Sequence, residues 1–488
     1  MNHRQDVDLQ AAARQSMLEH GFQPDFSKAV TEQVSQLRDA GAEVGDEGDF
    51  RDLRGLLWSS IDNDTSRDLD QIEYVEELPN GSARVLIGIA DVDASAGLHS
   101  PIDQHAARET TTVYTGVRNF AMLPEELSTG LTSLLEGQDR HCVVTEYVVD
   151  AGGCVVDHHF YRARVRNAAQ LAYNAVGAWL EGSAEAPAKV AKSPELQAQL
   201  KLQDEVAQKL RRERYKRGAL NLETIETHPV ILKDEIIDIE QQQKNHATEL
   251  IEDFMIGANE CVARSLESAR FTSIRRVVKT PKRWDRIVEL AAQSGAKLPA
   301  EPDSKALNDY LEERKAADPD HFPDLSLTVV KLMGPGEYVI ERPGDPAEGH
   351  FGLAVQDYTH STAPNRRFAD LATQRLIKAV IAGKPSPYPD DELSSIAQNC
   401  TLKEDAARKV EREMRKRIAA LVMSHRIGEH FDAIVVGVNH YGTFVRVLAP
   451  HLEGMLVQGQ QGLDVGDRVG VRLVRTDVGR GFIDFARS

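Results

Sequence analysis

Hydrophobic periodicity changes regime several times along this chain, and no single layer of structure accommodates all of it. From Leu9 to Gly41 apolar side chains recur at helical spacing, at Leu9, Ala12, Met17, Leu18, Phe22, Val30, Val34 and Leu37, with a break between Gly21 and Pro24. From Arg51 to about Asp150 the runs are short and β-rich, as in Ala83 to Val92 and Val143 to Val149, with turns between them. Helical spacing returns in Gln170 to Arg217, Thr248 to Ala269 and Phe368 to Ala382, and Leu393 to Arg426 reads as one long amphipathic helix. Beyond Phe431 come Ala433 to Val438, Thr443 to Leu448, Gly454 to Val457, Arg468 to Arg475 and Gly481 to Phe485, five strand-like runs, the number an OB fold needs.

At 488 residues the chain is long enough for several cores. The expected class is α+β. A small helical domain over 1–50, with a helix-turn-helix as one form it could take, leads through the acid-rich segment Ala40 to Gly48 into a mixed sheet-and-helix domain over 51–426. A five-stranded β-barrel over 427–488 follows. Residues 1–50 are net acidic, which makes packing or partner contact the better expectation for them than DNA reading.

A formal net charge of −18 argues against a surface that binds polyanions everywhere, so any nucleic-acid contact must be local. Basic residues concentrate in Arg264 to Arg286, Lys403 to Arg417 and, more weakly, Lys201 to Arg217. Taken alone, such runs are more often solvated helix faces than binding sites. Cys142, Cys154, Cys261 and Cys400 are far apart and form no C-x-x-C pair, which suits a reducing compartment and excludes a zinc knuckle. Residues Met1 to Gln10 are polar, and no stretch reaches the roughly 20 apolar residues that span a bilayer. The expectation is a cytoplasmic protein without a membrane partner.

The densest chemical signal is Ile61-Asp62-Asn63-Asp64-Thr65-Ser66-Arg67-Asp68-Leu69-Asp70-Gln71. Like charges this close repel unless a cation neutralises them. Oxygen donors without His or Cys select Mg²⁺, Mn²⁺ or Ca²⁺. A solvated acidic loop is the bland reading. An EF-hand places Asp62, Asp64, Ser66, Asp68, Asp70 and Glu73 at ligand positions, but its sixth position needs Gly for the sharp turn and here is Arg67. The third reading is a catalytic metal site for phosphoryl displacement.

Asp62, Asp68 and Asp70 are followed by Ile89-Ala90-Asp91-Val92, Ser100-Pro101-Ile102-Asp103, Met122 to Ser128, Leu250 to Met255 with Ala258-Asn259, and His350 to Leu376 with Thr362-Ala363-Pro364-Asn365-Arg366-Arg367-Phe368-Ala369-Asp370. In this order, over roughly Arg51 to Arg426, the chain resembles the ribonuclease II (RNB) family. Val438 to Val445 and Glu453 to Val457 similarly resemble the ribosomal-protein-type (S-one) OB-fold RNA-binding domain. The resemblance implies an RNB-type catalytic domain acting as a Mg²⁺-dependent (or Mn²⁺-dependent) 3′-to-5′ exoribonuclease, which shortens single-stranded RNA to nucleoside 5′-monophosphates. By the same resemblance Asp62, Asp68 and Asp70 are metal ligands, Arg366 binds the scissile phosphate, and Glu411 lies near the leaving end. Tyr114, Phe271 and Tyr173 contact the terminal nucleotides, Arg367 the backbone phosphates, and Tyr441 and Phe444 the strand at the barrel. A monomer is expected. Family members carry a fourth aspartate directly after the third, where this chain has Gln71. That departure keeps open a catalytically impaired RNA-binding protein as the alternative.

Overall fold

The computed structural model describes residues 8–40, 49–223, 226–232, 235–242 and 244–488. Two helices lead, α1 (Leu9–Glu19) and α2 (Lys28–Ala40), followed by β1 (Arg51–Asp52), β2 (Trp58–Asp62), β3 (Gln71–Glu77), β4 (Ala83–Ala90), α3 (Pro101–Glu109), and the short hairpin β5 (Val113–Tyr114) and β6 (Asn119–Phe120). Strands β7 (Asp139–Val149) and β8 (Val155–Ala172) precede α4 (Tyr173–Leu180), α5 (Ala188–Ala191) and α6 (Pro194–Lys216). The middle of the chain forms β9 (Glu226–Leu232), β10 (Glu235–Gln242), α7 (His246–Ser268), β11 (Ser273–Val277), α8 (Trp284–Gln293), α9 (Ser304–Ala317), α10 (Phe322–Met333) and β12 (Glu337–Glu341). Helices α11 (Phe368–Ile381) and α12 (Asp390–Ser424) lead to β13 (His430–Asn439), β14 (Gly442–Leu448), β15 (His451–Gln458), β16 (Arg468–Asp477) and β17 (Phe482–Arg487).

The main sheet runs β1-β8-β2-β3-β4-β7, and β7 also pairs with β8. Strand β8 makes this closure possible. It pairs with β7 along its first part and with β1 and β2 along its second, so the sheet's edges are largely used up. Alternation along β3 and β4 then sorts side chains between two cores. Val75, Val85, Ile87 and Ile89 pack with Leu196, Leu200 and Val206 of α6 and Leu250 and Phe254 of α7. Ile72, Leu86 and Ala90 go to the other core, with Phe368, Leu371 and Leu376 of α11. Helix α7 is held at its start by a capping box between Asn245 and Thr248.

Three expectations need adjusting. The helical spacing read from Gln170 begins too early, because β8 extends to Ala172 before α4 starts; the cross-strand partners of Gln170 and Leu171, Ser60 and Ile61, lie more than a hundred residues away. The N-terminal helices share no core of their own. Val30 and Val34 of α2 belong to the main core, while Leu9, Ala13 and Met17 of α1 join α12 and the β5-β6 hairpin. Nothing in that packing favours a helix-turn-helix, and the expected linker from Ala40 to Gly48 lies, past Ala40, outside the described residues. The basic run Arg264 to Arg286 is largely neutralised: Arg264 pairs with Glu260, Arg275 with Glu341, Arg276 with Glu404, Lys279 with Glu337 and Glu348, and Arg286 with Glu289. In the weaker run, Arg211 and Arg214 are likewise taken by Asp253.

The last five strands close into a barrel in the order β13-β14-β15-β17-β16. Its core is Val435, Val445, Leu456, Val471, Leu473 and Phe485, joined by Ala420 and Met423 from the last turns of α12. Gly454 is required by this packing, since a Cβ there would stand 2.5 Å from the Phe485 ring. Among the described residues no helix is long and apolar enough to cross a membrane.

Candidate active site

Asp62 ends β2, and the chain then leaves the sheet, returning at Gln71 to start β3. The acidic segment is thus a loop between neighbouring strands. It is pinned from within: Asp62 Oδ1 accepts the Asn63 N–H at 2.7 Å and the Ser66 hydroxyl at 2.9 Å. It is pinned from outside by Ser133, fully buried, whose Oγ donates to Arg67 O at 2.6 Å and accepts the Leu69 N–H at 3.0 Å. Among the groups that hold these four carboxylates in nine residues is a serine that nothing in the sequence marks out.

Asp70 is 1% exposed. Its Oδ1 accepts the Asn365 N–H at 2.9 Å, its Oδ2 lies 3.3 Å from Arg366 Nε, and among the described residues that Oδ2 receives no hydrogen bond. Burial pushes the Asp70 carboxyl up to about 7, with Arg366 and the Asn365 N–H pulling the other way. Burial raises Asp68 as well, against the pull of Arg366. The Tyr114 hydroxyl donates to Asp68 Oδ2 at 3.5 Å while its main-chain N–H donates to Glu411 Oε1 at 3.1 Å, so one residue of the β5-β6 hairpin ties the acidic loop to α12. Tyr173 stands at the junction of β8 and α4, within reach of the charges of Asp62, Glu73 and Arg366.

The two adjacent arginines have different partners. Arg367 spends its fork on Asp370, through Nε at 2.8 Å and Nη2 at 2.7 Å, and Asp370 also accepts the Ala363 N–H at 2.8 Å. Arg366, 44% exposed, faces Asp70. The structural ion pair with Asp370 thus belongs to Arg367. Asn365 was part of a sequence block but had no role of its own there. Its main chain holds Asp70, and its Oδ1 accepts the Thr132 hydroxyl at 2.6 Å.

Gln71 faces away from this cluster. It pairs with Ile89 as Glu73 pairs with Ile87 and Val75 with Val85, and those partners all lie in the core against α6 and α7. Asp70, one residue earlier, bonds through its carbonyl to Ala90, whose side chain belongs to the opposite core. On the Gln71 face Glu73 is already fully buried, with neither carboxylate oxygen hydrogen-bonded, and burial raises its carboxyl well above the ordinary range. A neutral amide at 71 avoids a second buried charge beside it.

The remaining expected contacts are Phe271, Tyr441 and Phe444. Phe271 follows Arg270, which has φ +59°, and packs against the main core, whose members include Leu266 and Phe368. Tyr441 sits at the β13-β14 turn, 76% exposed, its ring tilted against that of His440 with centroids 3.8 Å apart. Phe444 is half-buried on β14, opposite Met455.

For an ion, the donor chemistry fits: hard carboxylate oxygens, one of them a buried Asp70 Oδ2 with no hydrogen-bond donor. Among the described residues, no three His, Cys, Asp or Glu side chains are yet gathered as a ligand set. Arg366 is the cation beside Asp70 Oδ2 here.

A sequence model of the RNB domain matches residues 50–383. The chain belongs to the RNB family. A second model, described as the RNase II-type exonuclease C-terminal S1 domain, matches residues 429–488, the closed barrel. Among curated relatives of this RNB protein, ribonuclease R of Escherichia coli (strain K12) is 30% identical over 473 residues, which is 93% of this chain and 57% of the relative. Ribonuclease R of Thermotoga maritima is 30% identical over 470 residues, 89% of this chain and 64% of the relative. The chain thus spans somewhat over half the length of the curated relatives it matches. Mycoplasma genitalium RNase R, solved in complex with double-stranded RNA, superposes with a TM-score of 0.87 at 25% identity, covering 99% of this chain and 84% of that one. At 17% identity and a TM-score of 0.71, yeast Ssd1, described as a pseudonuclease, shares the fold over 92% of this chain and 56% of its own.

Proposed function

We propose that this protein is a metal-dependent 3′-to-5′ exoribonuclease that removes nucleoside 5′-monophosphates from single-stranded RNA, with Mg²⁺ as the ion and Mn²⁺ as a substitute. The observation that carries the reading is one run of contacts drawn from four distant parts of the chain, Arg366 beside Asp70 and Tyr114 donating both to Asp68 and to Glu411. The relatives named ribonuclease R agree with it.

Asp62, Asp68 and Asp70 would hold the ion, which when bound supplies Lewis-acid stabilisation of phosphate oxygens and a more acidic water. Arg366, beside Asp70, places its planar fork on the scissile phosphate, where it offsets charge in the transition state. Asn365 keeps Asp70 in place through its main chain. Tyr114 offers a ring face to the terminal base, a contact that tolerates every base because each has a π face. Glu411 lies at the leaving end, and Tyr173 and Phe271 border the path of the strand. Tyr441 and Phe444 meet RNA at the barrel. The working division is a helical segment over 1–50, a catalytic body over 51–426 and a barrel over 427–488, acting as a cytoplasmic monomer.

The test is digestion of a 5′-labelled single-stranded RNA with and without Mg²⁺, beside Asp70→Asn, Arg366→Lys and a matching DNA. A ladder shortening from the 3′ end, dependent on metal and slowed about 100-fold or more in both variants, is expected. RNA binding without shortening would leave the catalytically impaired alternative in its place.

A further inference from the structure

The N-terminal helix lies outside the span matched by the RNB domain, yet it packs against the back of the site. Leu9, Ala13 and Met17, spaced to share one face of α1, enter a cluster with Val113 and Phe120 of the β5-β6 hairpin and Val410, Met414 and Ile418 of α12. Val113 is fully buried there, while Tyr114, the next residue along the strand, is 40% exposed and reaches Asp68. The same division recurs on α12. Glu411 and Glu413 stand roughly 200° apart around the helix axis. Glu411 accepts the Tyr114 N–H at 3.1 Å. Glu413 accepts the Ser16 hydroxyl on Oε2 at 2.8 Å and lies 3.0 Å from His20 Nε2 through Oε1. Two more ties close the corner: Lys403 Nζ donates to Gly21 O at 2.6 Å, and the Gln23 N–H donates to Glu109 Oε2 at 2.9 Å. Helix α1 is therefore fastened to both elements that carry Tyr114 and Glu411, from the side away from the acidic loop.

We propose that α1 is a positioning element for the Tyr114 ring, and that Glu413 is the positioning residue that locks it onto α12. The inference rests on the reading above, in which Tyr114 stacks on the terminal base of single-stranded RNA. Glu413 touches no reacting atom. It acts by holding α1 against Val113 and so fixing how far the hairpin carries Tyr114 towards Asp68. Without that lock the hairpin keeps its α12 contacts but gains freedom, and the grip on the last nucleotide loosens while the acidic loop, Arg366 and Asn365 are untouched.

The test uses the full chain and a short single-stranded RNA with 2-aminopurine as its 3′-terminal base, in EDTA so that no bond is broken. Stacking on Tyr114 quenches the fluorophore; Tyr114→Ala abolishes the quench and calibrates it. Glu413→Ala is expected to weaken the quench and, with Mg²⁺ restored, to raise KM for a short oligonucleotide about fivefold with kcat within about twofold. Glu413→Gln, which still accepts the Ser16 hydroxyl, restores both. Met17→Ala, checked by its melting curve, should act like Glu413→Ala through packing alone. A quench and KM in Glu413→Ala equal to those of the unaltered protein overturn the inference. If the unaltered protein quenches but does not cleave, the hydrolytic reading fails and the positioning role stands; if it cleaves but shows no quench dependent on Tyr114, the positioning role fails alone.

Discussion

Asp70 carries a conflict: it is a buried carboxylate, with one oxygen lacking a donor among the described residues and Arg366 beside it as counter-charge. Its folded carboxyl titrates near 7, above the ordinary aspartate value, so the folded state holds that proton more tightly than the unfolded chain does. The associated stability is fully present below about pH 4 and is lost as pH rises through 7, at most about 4 kcal/mol. In EDTA, Asp70→Asn removes this dependence while an amide oxygen can still accept the Asn365 N–H. Melting curves at pH 5 and pH 8 should show the variant gaining on the unaltered protein at the higher pH, and added Mg²⁺ should raise the melting temperature of the unaltered protein only. Parallel pH profiles for the two proteins would refute the assignment. The identity of the aspartates was legible in the sequence, because clustering of like charges is itself a chemical signal. Which arginine faces which aspartate was not. Arg366 and Arg367 are neighbours with the same chemistry, and the turn before α11 sends one to Asp70 and the other to Asp370.

At the scale of elements, the long helices were readable from periodicity alone. Helix α12 spans 35 residues and α7 spans 23, each close to the segment its apolar spacing marks. Helix α11 was readable as an element, but its inner face carries more than apolar packing. Arg375, 4% exposed, donates to Asp93 Oδ1 at 2.7 Å, the Tyr388 hydroxyl at 2.6 Å and Ala96 O at 2.5 Å, and lies 2.7 Å from Asp103 Oδ1. Beside it Lys378 bridges Asp91 and Asp93 at 2.7 and 2.8 Å. This network explains why Ile89-Ala90-Asp91-Val92 and Ser100-Pro101-Ile102-Asp103 carry aspartates at buried positions: they anchor α11 to the sheet and with it the turn that presents Arg366. Arg375→Met should cost about 3–5 kcal/mol, because Asp103 is left as a buried charge without its partner. Urea unfolding checks this, and a loss below about 1 kcal/mol would mean the aspartates simply protonate or find water. The 18-residue β8 was the element least legible, since its two halves serve different neighbours and its last residues read as the start of a helix.

Across the whole molecule, a net charge of −18 coexists with a proposed RNA path because the charges are sorted in space. Many cations of the two runs between Lys201 and Arg286 are consumed in ion pairs, whereas Lys409, Arg412, Arg415 and Lys416 on α12 are exposed, close to the end of the helix that enters the barrel core. The barrel is also fixed from the other side, where Arg446, 5% exposed, donates to Asp324 of α10 at 3.1 and 2.6 Å. Binding to single-stranded RNA should therefore weaken steeply with salt despite the acidic composition. A slope of log affinity against log salt of roughly −2 to −3 is expected, as three or four phosphate contacts give. Changing Arg412 and Arg415 together to Ala should flatten it, and an unchanged slope would move the strand's path away from α12.

The amino-acid sequence by itself determined the α+β class, the strand and helix regimes, the five-stranded tail and the acidic loop, because each is recorded in spacing between near neighbours. The order of the family blocks added which loop, which turn and which helix belong to one site. Only the tertiary structure decided that Gln71 faces the interior beside Glu73 while Asp70 faces the site, that Ser133 braces the loop from 66 residues away, and that α1 and α2 divide between two cores. The same holds for Arg211, Arg214, Arg275, Arg276 and Lys279 of the basic runs, whose charges are spent on carboxylates far along the chain. Period tells which way a side chain points from its own element; what it meets there depends on how distant elements pack, and that pairing leaves no local trace.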